Sequence, residues 1–211
     1  MRKRTYVTVL AAVAVIAGPV RAQQDLDGIG HVEGRPEARV QIIEFADYSC
    51  AFCARFSRET LPLLRHEWID TGRASLRFIG FHNTYYKQGR EAGRAAECAA
   101  EQDAFAAMHD LIYERQTAWL SRGGARERFE EWASELDLDT AAFRDCWERD
   151  PGRKLLERNT EIARDMRVRA TPTFFISGRK IEGALTYAEL REILEALFDS
   201  RTAEGSTHIH D

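Results

Sequence analysis

Two cysteines, Cys50 and Cys53, form the chemistry-bearing pair with the most informative spacing in the chain. They follow an apolar, β-branched segment, residues 40–45, and they precede a segment with helical periodicity. The N-terminus of a helix stabilises negative charge and therefore favours a thiolate at Cys50. Thiolates are the nucleophiles of thiol–disulfide exchange. The pattern predicts an exposed, attacking Cys50 and a buried Cys53 that resolves by closing an intramolecular disulfide.

A zinc site and an inert structural disulfide are the alternatives for this pair. A zinc ribbon would need a second pair of ligands, and the remaining cysteines, Cys98 and Cys146, stand alone on predicted helix faces. We therefore predict no metal site. An inert disulfide stays open as an alternative, but a CxxC between a strand and a helix is the context of redox chemistry.

Glu44 is the candidate proton carrier, because it is a carboxylate in an otherwise apolar strand close to the two sulfurs. Burial would raise its pKa into a range useful for relaying a proton through water to Cys53. The alternative is a surface acid on the polar side of the strand.

Thr171 and Pro172 precede a second apolar segment, residues 173–177. A proline at that position cannot donate to a sheet ladder. A cis bond would turn the backbone and offer the Thr171 amide and carbonyl to an extended peptide, although trans is the default. Phe52, between the cysteines, offers an apolar surface to such a peptide; packing in the core is its alternative.

The elements that must position these residues begin with strand, helix and strand. Residues 40–45 are the first strand, residues 51–67 a helix with an expected kink at Pro62, and residues 75–81 the second strand. This order builds a parallel sheet. A strand over 173–177, a partner strand and a closing helix end the pattern.

The predicted fold class is α/β, with one sheet domain interrupted by an inserted all-helical domain. The sheet domain comprises residues 38–88 and 168–198, and the helical insertion comprises residues 89–167. An N-terminal arm, residues 23–37, precedes the sheet domain, and a flexible tail, residues 199–211, follows it.

The first 22 residues have the layout of a secretory signal peptide. Three basic residues, Arg2 to Arg4, precede an uncharged and mostly apolar stretch, residues 6–18. Val20 and Ala22 then place an aliphatic and a small residue at the two positions that a signal peptidase reads. We predict cleavage near Ala22 and a protein that is periplasmic or otherwise exported; an uncleaved N-terminal anchor is the alternative. The net charge of −4 over 211 residues argues against nucleic acid as a partner.

Export also changes the expectation for Cys98 and Cys146, which lie on apolar faces of predicted helices. In an oxidising compartment a structural disulfide is favoured over two buried, unpaired thiols. Two buried small hydrophobic residues remain the alternative.

The order of elements resembles that of the DsbA-like thiol:disulfide oxidoreductases of thioredoxin fold. It consists of a strand, Cys50-x-x-Cys53, a helix, a helical insert and Thr171-Pro172. The resemblance covers about residues 40–198. It implies that Cys50 is the nucleophile, that Cys53 resolves and that Thr171-Pro172 forms a cis-proline loop beside them. It also implies a second, non-catalytic disulfide in the insert. One departure is the dipeptide Ala51-Phe52, where the strongest oxidants of the family carry Pro-His.

The resemblance implies disulfide donation to unfolded or partly folded exported proteins with thiols. It further implies reoxidation by a membrane, quinone-linked partner of the DsbB type, with no organic cofactor. The alternatives are a reductase or isomerase of the same fold and a non-catalytic chaperone or adaptor. Because the segment before the first strand is too short for an oligomerisation domain, a monomer is expected.

Overall fold

The fold is built on one mixed sheet, as seen in a computed structural model that describes residues 26, 28–81, 87–121 and 125–206. Within those residues, five strands lie in the order β1-β3-β2-β4-β5. The strands are β1 (His31–Glu33), β2 (Val40–Ala46), β3 (Ala74–Gly80), β4 (Thr173–Ile176) and β5 (Arg179–Glu182).

Strand β2 lies in the centre of the sheet and is almost completely buried. It pairs in parallel with β3 and antiparallel with β4, so that Glu44 lies between Phe78 and Phe174. The parallel pair predicted from the strand–helix–strand order is confirmed. Strands β1 and β5 pair antiparallel with β3 and β4 at the two edges.

The helical segment that follows β2 contains two wide turns. It consists of α1 (Ala51–Arg55), a π-helical turn (Phe56–Thr60), α2 (Leu61–Leu64) and a second π-helical turn (Arg65–Ile69). Pro62, where a kink is predicted, lies in α2 directly after the first wide turn. Proline lacks an N–H and clashes with the carbonyl of the preceding turn, and a π-helical turn is one way to accommodate that.

Most of the remaining helices lie between β3 and β4. A last helix, α9, follows β5. The helices are α3 (Lys87–Ala100), α4 (Phe105–Glu114), α5 (Gln116–Leu120), α6 (Ala125–Glu135), α7 (Thr140–Arg149), α8 (Pro151–Asp165) and α9 (Tyr187–Ser206). In the described part of the chain, no helix combines the length and the apolar character needed to cross a membrane.

Three buried clusters form the core. One joins β2, β3 and β4 to the two π-helical turns, α2 and α9, and a smaller one covers the opposite sheet face around Phe45 and Ile79. The third cluster fills the helical insert and extends to Tyr48 and Cys53. The insert is therefore packed directly against the segment that carries the CxxC pair.

The structure differs from the sequence prediction at both ends of the sheet domain. Residues 31–33, expected in an arm, form the edge strand β1. Helix α9 continues past residue 198 to Ser206, where a flexible tail is predicted. Residues 199–206 contain no proline and include good helix formers, so no local signal stops the helix earlier. The predicted signal peptide and residues 207–211 lie outside the described residues.

Candidate active site

Cys50 lies at the N-cap of α1, with extended backbone angles of φ −80° and ψ 122°. A tight turn brings the chain there from β2: the Cys50 N–H donates to the Asp47 carbonyl at 2.9 Å. One oxygen of the Asp47 carboxylate accepts from the N–H and the hydroxyl of Ser49, at 2.8 and 2.6 Å. Asp47 thus fixes the turn.

The two thiols are in different environments. Cys50 is partly buried, and its sulfur lies 3.2 Å from the Thr171 carbonyl oxygen, to which it donates when protonated. Cys53, one turn into the helix, is completely buried. Both are free thiols in the structure. Their placement agrees with an accessible attacking sulfur and a protected resolving one.

The same environments separate the pKa values of the two cysteines. The pKa of Cys50 is lowered to about 6, and the interaction with the Cys53 thiol is the largest influence that lowers it. The Thr171 side chain and the backbone N–H groups of Cys53 and Phe52 contribute to this value, against the cost of burial. Burial raises the pKa of Cys53 well above its ordinary value. At neutral pH Cys50 is mainly a thiolate and Cys53 a thiol.

Glu44 is 2% exposed and lies on the sheet face that carries Ile42 and Ala46, since alternate residues of a strand share a face. Ile42 packs against the helical segment 51–69 on that face. Burial, with a smaller contribution from the charges of Glu33 and Cys50, raises the pKa of Glu44 to about 8. Glu44 therefore holds a proton at neutral pH inside the protein.

The loop opposite Cys50 contains Thr171 and Pro172, joined by a cis peptide bond. The Thr173 hydroxyl donates to the Ala170 carbonyl at 2.7 Å, and the Gly183 N–H donates to the Pro172 carbonyl at 2.9 Å. The loop is thus tied to both strands of the β4–β5 hairpin. The Thr171 carbonyl faces the Cys50 sulfur.

Phe52 is 58% exposed, and the guanidinium of Arg55 lies 5.3 Å from its ring centroid. Of the two alternatives, the side chain takes the exposed one. It presents an apolar surface beside Cys50.

Cys98 and Cys146 form a disulfide, with an S–S distance of 1.99 Å. It joins α3 to α7 inside the core of the helical insert. The pair is separate in the chain from the CxxC and belongs to the packing of the insert.

Three residues near the site are absent from the sequence prediction. Gln116 donates to the carbonyls of Tyr48 and Cys50 at 2.7 and 3.0 Å. The Tyr48 hydroxyl lies 3.1 Å from Nδ1 of His109, a buried histidine whose pKa burial lowers to about 3. Gln116 and His109 come from the insert, far along the sequence, and no local pattern marks them.

A partly exposed thiol of lowered pKa next to a buried thiol of raised pKa is suited to thiol–disulfide exchange. The sheet, the insert and the pair together define a thioredoxin-like fold with a candidate site for thiol–disulfide exchange. The family model described as Thioredoxin matches residues 27–196. The chain belongs to the thioredoxin family.

Solved structures with the same fold are similar over most of their length. Wolbachia pipientis α-DsbA1 has a TM-score of 0.73 at 19% identity, covering 87% of this chain and 98% of that one. Oxidised BdbD from Bacillus subtilis has a TM-score of 0.69 at 22% identity, covering 82% of this chain and 95% of that one.

Among sequence relatives, Disulfide bond formation protein D of Bacillus subtilis is 24% identical over 172 residues, which are 78% of this chain and 75% of the relative. The Na(+)/H(+) antiporter NhaA of Herminiimonas arsenicoxydans is 31% identical over 168 residues, or 80% of this chain. The chain spans about a quarter of the length of the antiporter relatives it matches.

Proposed function

We propose that the chain is an exported disulfide donor, which passes the Cys50–Cys53 disulfide to substrate proteins through a mixed disulfide at Cys50. The observation that carries the proposal is the difference between the thiols: Cys50 is partly exposed with a pKa of about 6, whereas Cys53 is buried with a raised pKa. The relatives named for disulfide bond formation support it.

The reaction begins when a substrate thiolate attacks the Cys50 sulfur of the oxidised pair. The Cys50–Cys53 bond breaks, and Cys53 leaves with the electron pair. A thiolate is unfavourable at this buried position, so Cys53 must take up a proton, for which Glu44 is the candidate donor. The product is a mixed disulfide between Cys50 and the substrate.

A second substrate thiolate then attacks the substrate sulfur of the mixed disulfide. Cys50 leaves as a thiolate, and the substrate gains a disulfide while the enzyme gains two electrons. At pH 7, a pKa of about 6 instead of 9.0 favours the dithiol form by ~1.4 kcal/mol. Because Cys50 is only half-buried, screening reduces this to about 1 kcal/mol, or about 20 mV.

Substrate peptides are proposed to lie along the Thr171–Pro172 loop and over the exposed ring of Phe52. Unfolded or partly folded exported proteins with free thiols would supply such peptides. Reoxidation of the dithiol is assigned to a membrane, quinone-linked partner of the DsbB type.

Trapping of the intermediate tests the mechanism. Cys53→Ala cannot resolve a mixed disulfide, so its Cys50 thiolate should attack a disulfide-bonded protein, expel one sulfur of that disulfide as a thiolate, and accumulate adducts that dithiothreitol releases. Cys50→Ser should form none and should lose all oxidase turnover. The double variant Cys98→Ala/Cys146→Ala is the matched control and should turn over like the parent. Full activity of Cys50→Ser would instead favour a non-catalytic chaperone or adaptor.

Reduction of disulfides is the second candidate, because Ala51 and Phe52 place neither a cation nor a side-chain hydrogen-bond donor between the cysteines. The reduction potential of the pair separates the two directions.

Export is tested by recovering the protein from the periplasmic fraction of a bacterial host and sequencing its N-terminus. A mature chain beginning at Gln23 supports the proposal. A full-length chain retained in the membrane fraction would favour the uncleaved anchor.

A further inference from the structure

Gln116 is a buried polar residue that connects the helical insert to the turn before α1. It is the first residue of α5 and is 5% exposed. Its side-chain amide nitrogen donates to the Tyr48 carbonyl at 2.7 Å and to the Cys50 carbonyl at 3.0 Å. An amide nitrogen carries two hydrogens, and both are used here.

The two carbonyls lie on the turn that ends at Cys50, so this side chain holds the last part of that turn. The Cys50 carbonyl also accepts the Ala54 N–H at 3.1 Å, the first hydrogen bond of the helix. Fixing this carbonyl fixes the peptide plane that follows Cys50. It thereby fixes the first helical turn, whose N–H groups at Phe52 and Cys53 act on the Cys50 sulfur.

The insert holds Gln116 in place independently of the sheet. Trp119, on the same short helix, is completely buried, and its indole N–H donates to the Ile112 carbonyl of α4 at 2.9 Å. Its ring lies 5.9 Å from that of Phe129 in α6. The Gln116 side chain is thus anchored by packed aromatic residues of the helical insert and directed at the backbone of the turn that ends at Cys50.

We propose that Gln116 is a positioning residue for thiol–disulfide exchange, through which the helical insert holds the Cys50 peptide in its reactive orientation. Gln116 acts through the Tyr48 and Cys50 carbonyls and takes no part in the bond changes. The inference rests on the proposed function only in taking Cys50 as the nucleophile. It holds for disulfide donation and for disulfide reduction.

The test replaces Gln116 with methionine, which has a similar length and no hydrogen-bond donor. Gln102→Met is the matched control, because Gln102 also bonds backbone through both ends of its amide, to Asp139 at 3.2 and 2.8 Å, but within the insert. The reduced proteins are titrated by thiolate absorbance at 240 nm. The alkylation rate of Cys50 at pH 6 is followed by peptide mass mapping.

For Gln116→Met we expect the pKa of Cys50 to rise by about one unit, which lowers the thiolate fraction at pH 6 about fivefold. Alkylation should slow by the same factor, and Gln102→Met should match the parent. The proposal is overturned if Gln116→Met titrates and alkylates like the parent while losing as much unfolding free energy as Gln102→Met.

If Gln116→Met does not fold, Gln116→Asn carries the same expectations, since its shorter side chain cannot reach both carbonyls. Alkylation needs no substrate protein, so the result is independent of the direction of electron flow. If the proposed function were wrong, Cys50→Ser would keep full activity. That result comes from a separate experiment and does not depend on the titration or alkylation of the Gln116 variants.

Discussion

Replacing Glu44 with glutamine should stabilise the protein, and the gain should depend on pH. The folded state holds the Glu44 proton up to about pH 8, whereas the unfolded chain releases it near pH 4.5. The free-energy cost of burying Glu44 on folding therefore increases as pH rises from 4.5 to 8. At about 1.4 kcal/mol per pKa unit, the cost is ~3 kcal/mol at pH 7 and ~5 kcal/mol above pH 8. Glutamine fills the same volume without this cost.

The assay is urea unfolding of the dithiol form of parent and Glu44→Gln at pH 4.5, 7 and 8.5. The two proteins should have nearly equal unfolding free energies at pH 4.5 and should diverge steadily above it. Glu192→Gln, which alters an exposed acid on α9, is the control and should follow the parent at every pH. Two results would refute a buried, protonated Glu44. One is a gain in unfolding free energy that does not change with pH, and the other is a Glu44→Gln protein that is less stable than the parent at pH 8.5.

Three further outcomes are expected. Cys53→Ala should raise the pKa of Cys50 above 6, because it removes the largest influence that lowers it; thiolate absorbance measures this, and an unchanged titration would contradict it. Cys98→Ala/Cys146→Ala should lose ~4 kcal/mol in unfolding free energy, since the bridge closes a loop with a sequence separation of 48, while Cys50 alkylation stays constant. His109→Phe should become more stable relative to the parent as pH falls. The His109 contribution to the unfolding free energy falls by about 2 kcal/mol between pH 6.5 and 4.5, because only the unfolded chain accepts the His109 proton there. A difference between variant and parent that does not change with pH would exclude this source.

The sheet could be predicted where side-chain patterns are local. Residues 40–45 and 75–81 carry long apolar or alternating runs, and they form the parallel pair β2 and β3. Strand β1 could not be predicted, because three residues between glycines are too short to show a period. The π-helical turns beside Pro62 likewise reflect how the segment packs rather than a sequence signal.

The reactive pair was the most predictable part of the site, because its chemistry depends on short spacing and on a strand–helix boundary. Cys50 and Cys53 carry that signal by themselves. The supporting residues do not: Gln116 and His109 lie in helices of the insert, and only the tertiary fold brings them to Tyr48 and Cys50. Their roles depend on backbone carbonyls and burial, which no residue pattern records.

The reduction potential of the Cys50–Cys53 pair, determined by glutathione titration of the purified protein, tests disulfide donation most directly. A thiol of pKa about 7 accompanies a potential of about −270 mV in thioredoxin, and lowering that pKa to about 6 adds roughly 20 mV at pH 7. The account predicts a potential more oxidising than about −250 mV. A value at or below that of thioredoxin would contradict disulfide donation and identify the protein as a reductase.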